Sequence, residues 1–410
     1  MSSIHLLKFS QLWQFIPLLL TGFGFFLSLW IIVPAPTFSL LVFGVGVPEL
    51  SPWVTGLNAI ALMLILVRFQ LNYFNALTLV ITLIALALSL LPLIQFSAAN
   101  TRFQSEIENV LGKDYLQQIP PTLRAKMRPQ PLVLADVFRG VTLQEVRIER
   151  DLQFANPDGQ ELKLNVYRPL SSGKYPGLIV IYGGAWRQGN PSDYEYFSRY
   201  IAAQGYSVIA IDYRHAPQYQ FPSQLEDVQT ALNFISDRAD ELEIDLQRVA
   251  IIGRSAGAQL ASIVAYQNQS QIKFQAIINY YGPVNLVYGY RNPPSPDPID
   301  TRQVLEDFLG GTPETKLKLY QQASPIKYLK PNLLPSLLIY AQRDHLVEAK
   351  YGKLLYERLQ ITNNCAALLT IPWAEHAFDV VFSGVSNQLA LYYTERFLAW
   401  SLYRNQLANN

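Results

Sequence analysis

Arg248-Val249-Ala250-Ile251-Ile252-Gly253-Arg254-Ser255-Ala256-Gly257-Ala258-Gln259-Leu260-Ala261-Ser262 is the stretch that decides how this chain folds. An apolar, β-rich run leads into Gly-x-Ser-x-Gly and then into residues of helical composition, so the segment reads as strand, sharp turn and helix. Such a turn holds its serine in a strained conformation with Oγ exposed, and a side chain at either flanking glycine would clash. The pattern is weak in isolation, since ordinary Gly and Ser frequencies produce it in roughly one chain in ten of this length. Its position between a strand and a helix gives it weight.

Working outward, apolar β-rich runs recur at 177–182, 207–211, 249–252, 276–280, 336–340 and 367–371. Helix-period segments separate them: 193–204, closed by Gly205; 224–237, with Leu225, Val228, Leu232 and Ile235 on one face; 350–359; and 387–402. Two more runs, 146–152 and 162–167, flank Asn156-Pro157-Asp158-Gly159 and suit a hairpin. Strands apolar throughout and separated by helices imply a mostly parallel sheet with helices on both faces. With an antiparallel hairpin first and the turn serine after the fifth strand, the expectation for 146–405 is an α/β-hydrolase fold.

A serine hydroxyl needs a base within hydrogen-bond reach, and the base needs an orienting carboxylate. Of the four histidines, His5 precedes the apolar N-terminal region, while His215 and His345 suit capping or packing. His376, in Trp373-Ala374-Glu375-His376-Ala377-Phe378, follows the last strand run, where the Ser, Asp, His order of this fold requires the base. Asp344, just past the strand at 336–340, is the expected acid; Asp379 and Glu375 lie too close in sequence to His376 to reach its far nitrogen easily. The expected triad is Ser255, Asp344 and His376. An oxyanion needs hydrogen-bond donors. Tyr182-Gly183-Gly184-Ala185-Trp186, directly after a strand, brings small residues whose N–H groups can approach a substrate oxygen, and Ala256 follows the nucleophile. The loop and Ala256 are the expected sources of donors, with Gly183, Trp186 and Tyr281 as candidate pocket residues.

From about 160 to 405 the chain resembles the hormone-sensitive-lipase-like group of α/β-hydrolase esterases. Tyr182-Gly183-Gly184-Ala185 stands where that group has His-Gly-Gly-Gly, and the resemblance places the oxyanion donors on Gly184 and Ala185. Asp212-Tyr213-Arg214-His215-Ala216-Pro217, then Phe221-Pro222 and Glu226-Asp227, is similar to the group's Asp-Tyr-Arg-Leu-Ala-Pro, Phe-Pro and Glu-Asp succession. Ser255, Asp344 and His376 fall on its triad. Gly-Gly-Ala-Trp together with Gly-x-Ser-Ala-Gly-Ala is also similar to membrane-bound isoprenylcysteine methylesterases. The departures are Tyr182 for histidine and Ala185 for the third glycine. The resemblance implies cleavage of carboxylic esters through an acyl-enzyme. An amidase or peptidase using the same triad and an inactive hydrolase-fold binding protein are the alternatives.

Residues before 140 lie outside this resemblance. No Asp, Glu, Lys or Arg occurs between Lys8 and Glu49, or between Arg68 and Arg102. The expectation is a transmembrane region over 1–96 with about three helices, near 13–33, 53–68 and 75–95. The run 38–47 is too short to span and suits a re-entrant or interfacial piece. Residues 97–145 are expected to be a linker or a cap. Three spans with Lys8 and Arg68 on one side would place the hydrolase domain on the non-cytoplasmic side of a multi-pass integral membrane protein. Residues 283–335, rich in Pro and Tyr, form an insertion at the edge of the sheet expected to carry the site. A net charge of +1 gives no sign of a nucleic-acid partner, and the single Cys365 leaves no disulfide framework or Cys-based metal site within one chain. The expected partners are a small-molecule or lipid ester and the lipid bilayer, with no cofactor, no metal and no obligate protein partner.

Overall fold

A computed structural model describes residues 16–67 and 72–404. His5, Lys8 and Arg68, the start of the span expected near 13, and hence the charges behind the expected orientation, lie outside the described residues. Four helices come first: α1 (Ile16–Leu29), α2 (Leu41–Glu49), α3 (Ser51–Val67) and α4 (Tyr73–Leu111).

Eight strands then build one sheet in the order β1-β2-β4-β3-β5-β6-β7-β8. They are β1 (Arg147–Ala155), β2 (Leu162–Arg168), β3 (Tyr175–Ile181), β4 (Ser207–Ile211), β5 (Ile244–Arg254), β6 (Phe274–Tyr280), β7 (Ser336–Ala341) and β8 (Ala366–Ile371). The β1–β2 hairpin and the β2–β4 pair are antiparallel, and every other pairing is parallel. Every residue of β4 and of β7 is buried without alternation, as expected of strands covered on both faces. The helices between them include α5 (Glu195–Gly205), α6 (Ser223–Asp237), α7 (Ala256–Gln267), α8 (Thr301–Leu309) and α9 (Lys350–Ile361), and α10 (Val385–Tyr403) follows β8. The fold is that of an α/β-hydrolase, with the serine turn joining β5 to α7.

The N-terminal helices are packed the other way round from a soluble bundle. Leu19, Phe23, Met63, Leu66, Val80 and Ile94 are among the large side chains they expose, while Thr21, Ser28, Asn58, Thr82 and Ser89 are buried between them. Asn58 donates to Ser28 and Ser89 at 3.0 and 3.2 Å, tying α3 to α1 and α4, and Thr21 meets Thr82 at 2.7 Å. Gly24 makes the approach possible, because a Cβ there would stand 2.1 Å from the Asn58 Oδ1. Three separate spans do not emerge from this region. Among the described residues α4 alone is long and apolar enough to cross a membrane; the segment Phe38–Glu49 and α3 could form a second, broken span only as a pair bent by 79°. The cause is local: Pro34 and Pro36 follow α1, which has 14 described residues, and the chain turns sharply at Leu50 between α2 and α3.

The boundary expected at 96/97 falls inside α4, which runs on to Leu111. Ala99, Phe103, Ile107 and Leu111, one helical turn apart, are buried in the main core, followed by Tyr115, Ile119, Leu123, Met127 and Val137. Arg128 and Gln388 continue the attachment with a buried hydrogen bond of 2.6 Å, and the backbone N–H of Arg128 donates to Glu395 at 2.7 Å. Each of the larger side chains contributes roughly 1.5–3 kcal/mol on burial, so together they are comparable to the ~5–15 kcal/mol that holds a typical domain folded. A protein beginning near residue 140 is therefore expected to aggregate or melt without a cooperative transition. A sharp thermal melt from that truncated protein would show that 99–137 only lies against the domain.

Candidate active site

The turn at Ser255 takes its shape from two glycines. Ser255 sits at φ 51°, ψ −120°, a strained conformation for a residue with a side chain. A Cβ on Gly253 would come within 2.3 Å of the Gly257 carbonyl oxygen, and one on Gly257 within 2.2 Å of the Tyr182 carbonyl oxygen. The turn can thus pack against the end of β3 only with glycine at both positions.

From that turn the Ser255 Oγ lies 2.9 Å from Nε2 of His376, and Nδ1 of His376 lies 2.7 Å from Oδ2 of Asp344. Three residues from three separate loops, after β5, β7 and β8, are thereby brought into one line. Asp344 is nearly inaccessible, and its other oxygen accepts the N–H groups of Leu346 and Val347 at 2.8 and 2.7 Å. Burial by itself would lower the His376 pKa, but the adjacent Asp344 carboxylate outweighs it and holds the imidazole above its ordinary range.

Neither alternative acid touches the imidazole ring. Asp379 accepts a hydrogen bond from the Tyr281 hydroxyl and pairs with Arg254, and this pair is sealed from solvent. The Arg254 guanidinium also lies over the Tyr194 and Phe197 rings, at 4.3 and 4.4 Å from their centroids. Arg254 occupies a variable position of Gly-x-Ser-x-Gly, and sequence reasoning assigned it no role. Glu375 accepts from the backbone N–H of His345 at 2.7 Å and of His376 at 2.9 Å, so one carboxylate ties the loop after β7 to the loop after β8. Its second oxygen pairs with the His345 ring, which raises the His345 pKa.

Tyr182, standing where the resemblance has histidine, is buried and stacked on Tyr213 at 4.5 Å. Its hydroxyl donates to Asp212 and contacts Nε2 of His215 at 2.9 Å, so it pins the glycine loop to the 212–215 segment. Gly184 at φ 127° cannot be replaced, since a Cβ would stand 2.1 Å from the Gln188 carbonyl oxygen. The N–H groups of Gly184, Ala185 and Ala256 have no hydrogen-bond acceptor among the described residues, and all three residues line the same cavity as Ser255 and His376.

Ala185 adopts φ 54°, a region that favours glycine. Ala185→Gly is expected to keep kcat/KM for p-nitrophenyl acetate within a few-fold. Ala185→Pro should lose at least about 10²–10³, because the ring removes the N–H and demands φ near −65°. Full activity in a folded Ala185→Pro protein would remove this loop from the oxyanion site.

Two of the candidate pocket residues, Gly183 and Trp186, line the cavity. Trp186 is largely buried, stacked on Phe308 at 4.1 Å with Nε1 donating to Gln259 at 3.0 Å. Tyr281 is not part of the lining: it lies fully buried behind the imidazole, 4.5 Å from the His376 ring centroid, with its hydroxyl turned to Asp379. Packing against the His376 ring accounts for its position. The 283–335 insertion does reach the cavity, through Leu286, Ile299, Val304 and Leu305.

The BD-FAE family model matches residues 164–359. The chain is 27% identical over 252 residues to a probable carboxylic ester hydrolase, LipM, of Mycobacterium tuberculosis, a match covering 58% of this chain and 57% of that protein. It is 33% identical over 130 residues to an ethyl acetate hydrolase of Pseudomonas putida, covering 31% and 41%. The chain thus spans little more than half the length of LipM, and less of the second relative. An esterase from Pyrobaculum calidifontis superposes with a TM-score of 0.55 at 21% identity, over 68% of this chain and 98% of that one. A fungal esterase from Rhizomucor miehei gives 0.56 at 21%, over 70% and 98%. The last two likenesses show the fold alone. In motifs and fold together, the domain is similar to α/β-hydrolase esterases of the hormone-sensitive-lipase-like group.

Proposed function

We propose that this chain is a serine hydrolase that cleaves carboxylic esters, held at a membrane by its N-terminal helices. The observation that carries the chemistry is the unbroken relay from Asp344 through both nitrogens of His376 to the Ser255 hydroxyl. In the reading it supports, Ser255 Oγ attacks the ester carbonyl carbon while His376 Nε2 takes its proton. Charge collects on the carbonyl oxygen, where the free N–H groups of Gly184, Ala185 and Ala256 receive it. Collapse breaks the C–O bond to the alcohol, which leaves with the proton from His376. A water molecule, deprotonated by the same nitrogen, then releases the acid from Ser255. No step calls for a metal or an organic cofactor.

Supporting the membrane attachment is the inverted packing before residue 96, with polar side chains inside and large apolar ones outside. In this reading α4 is the anchor, its C-terminal half continuing into the packing of the domain at 146–405. The test is labelling of the full-length protein in detergent with a fluorophosphonate, alongside hydrolysis of p-nitrophenyl esters. Absence of both would leave a hydrolase fold without the chemistry.

A further inference from the structure

The cavity over Ser255 has a volume of about 1330 Å³, above the roughly 300–1,000 Å³ of an ordinary small-molecule pocket. Its wall is not made by the hydrolase domain alone. Twelve lining residues fall between Leu27 and Val54, so the helices before the domain roof over the nucleophile. The roof is fastened at both ends. The Glu49 carboxylate, at the end of α2, is fully buried and accepts the N–H of Ser386 at 2.8 Å in the first turn of α10. The Arg343 guanidinium, beside the acid Asp344, donates to the Ile32 carbonyl. A Cβ on Gly384 would meet Glu49 Oε2 at 2.2 Å, so glycine there permits the docking.

Chemically the chamber is a hydrocarbon site with one polar end. Its only carboxylate is Asp193, and no Lys or Arg lines it among the described residues. A phosphate or carboxylate head would find no lysine or arginine in the lining, since Arg254 is sealed away in its pair with Asp379. Phe38, Val42 and Trp53 line the cavity and are also 59%, 66% and 52% exposed, so its mouth is continuous with the apolar outer surface of the N-terminal helices. Resting on the ester hydrolase reading, we propose that this chamber takes a neutral ester bearing a long hydrocarbon chain. The ester group lies at Ser255 and the chain lies along α2, so the N-terminal helices set chain-length preference as well as location.

Gly46 provides the test. It lines the cavity, and a Cβ there would meet nothing within 4 Å. Gly46→Leu and Gly46→Trp therefore put graded bulk into the chain path. Gly56, on α3 and likewise without a neighbour within 4 Å, is outside the lining and gives the control Gly56→Trp. Full-length proteins in detergent are assayed on p-nitrophenyl dodecanoate, on dodecyl acetate and on p-nitrophenyl acetate. The first two separate a chain on the acyl side from one on the alcohol side. We expect the wild-type protein to prefer at least one long ester. Gly46→Trp should lower that long-to-short ratio of kcat/KM by about ten-fold or more, Gly46→Leu by less, and Gly56→Trp not at all. An unchanged ratio in Gly46→Trp, or equal loss on long and short esters, would overturn the chain site. A wild-type protein inert to fluorophosphonate and to every ester would instead fail the hydrolase reading on which it rests.

Discussion

Ser255→Ala is expected to abolish ester turnover, by a factor on the order of 10⁶, and to remove fluorophosphonate labelling altogether. The fold should survive. The Ser255 hydroxyl makes one hydrogen bond to another side chain, the 2.9 Å contact to His376, and the turn is shaped by the packing of Gly253 and Gly257 against neighbouring backbone. Alanine keeps the Cβ already accommodated at φ 51°. Circular dichroism and the melting temperature should therefore stay close to wild type while activity disappears. The size of the loss discriminates between roles. If Ser255 only positioned a water molecule, its removal would cost a few powers of ten and leave the probe reacting elsewhere. Undiminished labelling of Ser255→Ala would place the nucleophile at another residue and dismantle the relay.

Sequence carried this site further than it carried the region around it. Six strand runs and the serine turn were readable because strands buried on both faces are continuous apolar runs and the turn demands glycine at fixed offsets, and the first two runs were readable from the turn between them. That Asp344 and His376 come together with Ser255 was expected from chain order and from the scarcity of histidine. Arg254 was not, because nothing local marks a variable position as one half of a sealed ion pair whose partner, Asp379, lies 125 residues away. Tyr281 was misplaced for a related reason: aromatic composition cannot tell a substrate contact from a ring packed behind the base. The largest gap concerns the N-terminal helices. Hydropathy reports that residues 38–47 are apolar, a property shared by a membrane span, a core helix and a cavity wall. What distinguishes these is Glu49 meeting Ser386, a pairing 337 residues apart with no periodic or motif signature. The apolar stretches near 13–33, 53–68 and 75–95 also read as three spans, because composition does not register where a helix stops, and among the described residues only Tyr73–Leu111 is long enough to cross by itself.

Asp344→Asn is expected to lower kcat by about 10⁴ with the fold retained, and to displace the acid limb of the pH profile. The asparagine is nearly isosteric, and its carbonyl oxygen can still accept from Leu346 and Val347. Its amide, however, cannot accept from the Nδ1–H of His376, so the imidazole is no longer held in the tautomer whose Nε2 takes the serine proton. The sign of the pH effect follows from the charges. In the wild-type protein the carboxylate outweighs burial and raises the His376 pKa. The neutral, active base is therefore lost as pH falls through a value above the ordinary imidazole pKa of about 6.5. Without the carboxylate, burial dominates and favours the neutral ring, so the residual activity should persist to lower pH than in wild type. Log kcat/KM against pH for both proteins reads the two effects at once. A fall in rate with an unmoved limb would mean that Asp344 orients His376 without setting its charge. An active Asp344→Asn protein, with the loss found instead in Asp379→Asn, would transfer the acid to the residue that pairs with Arg254.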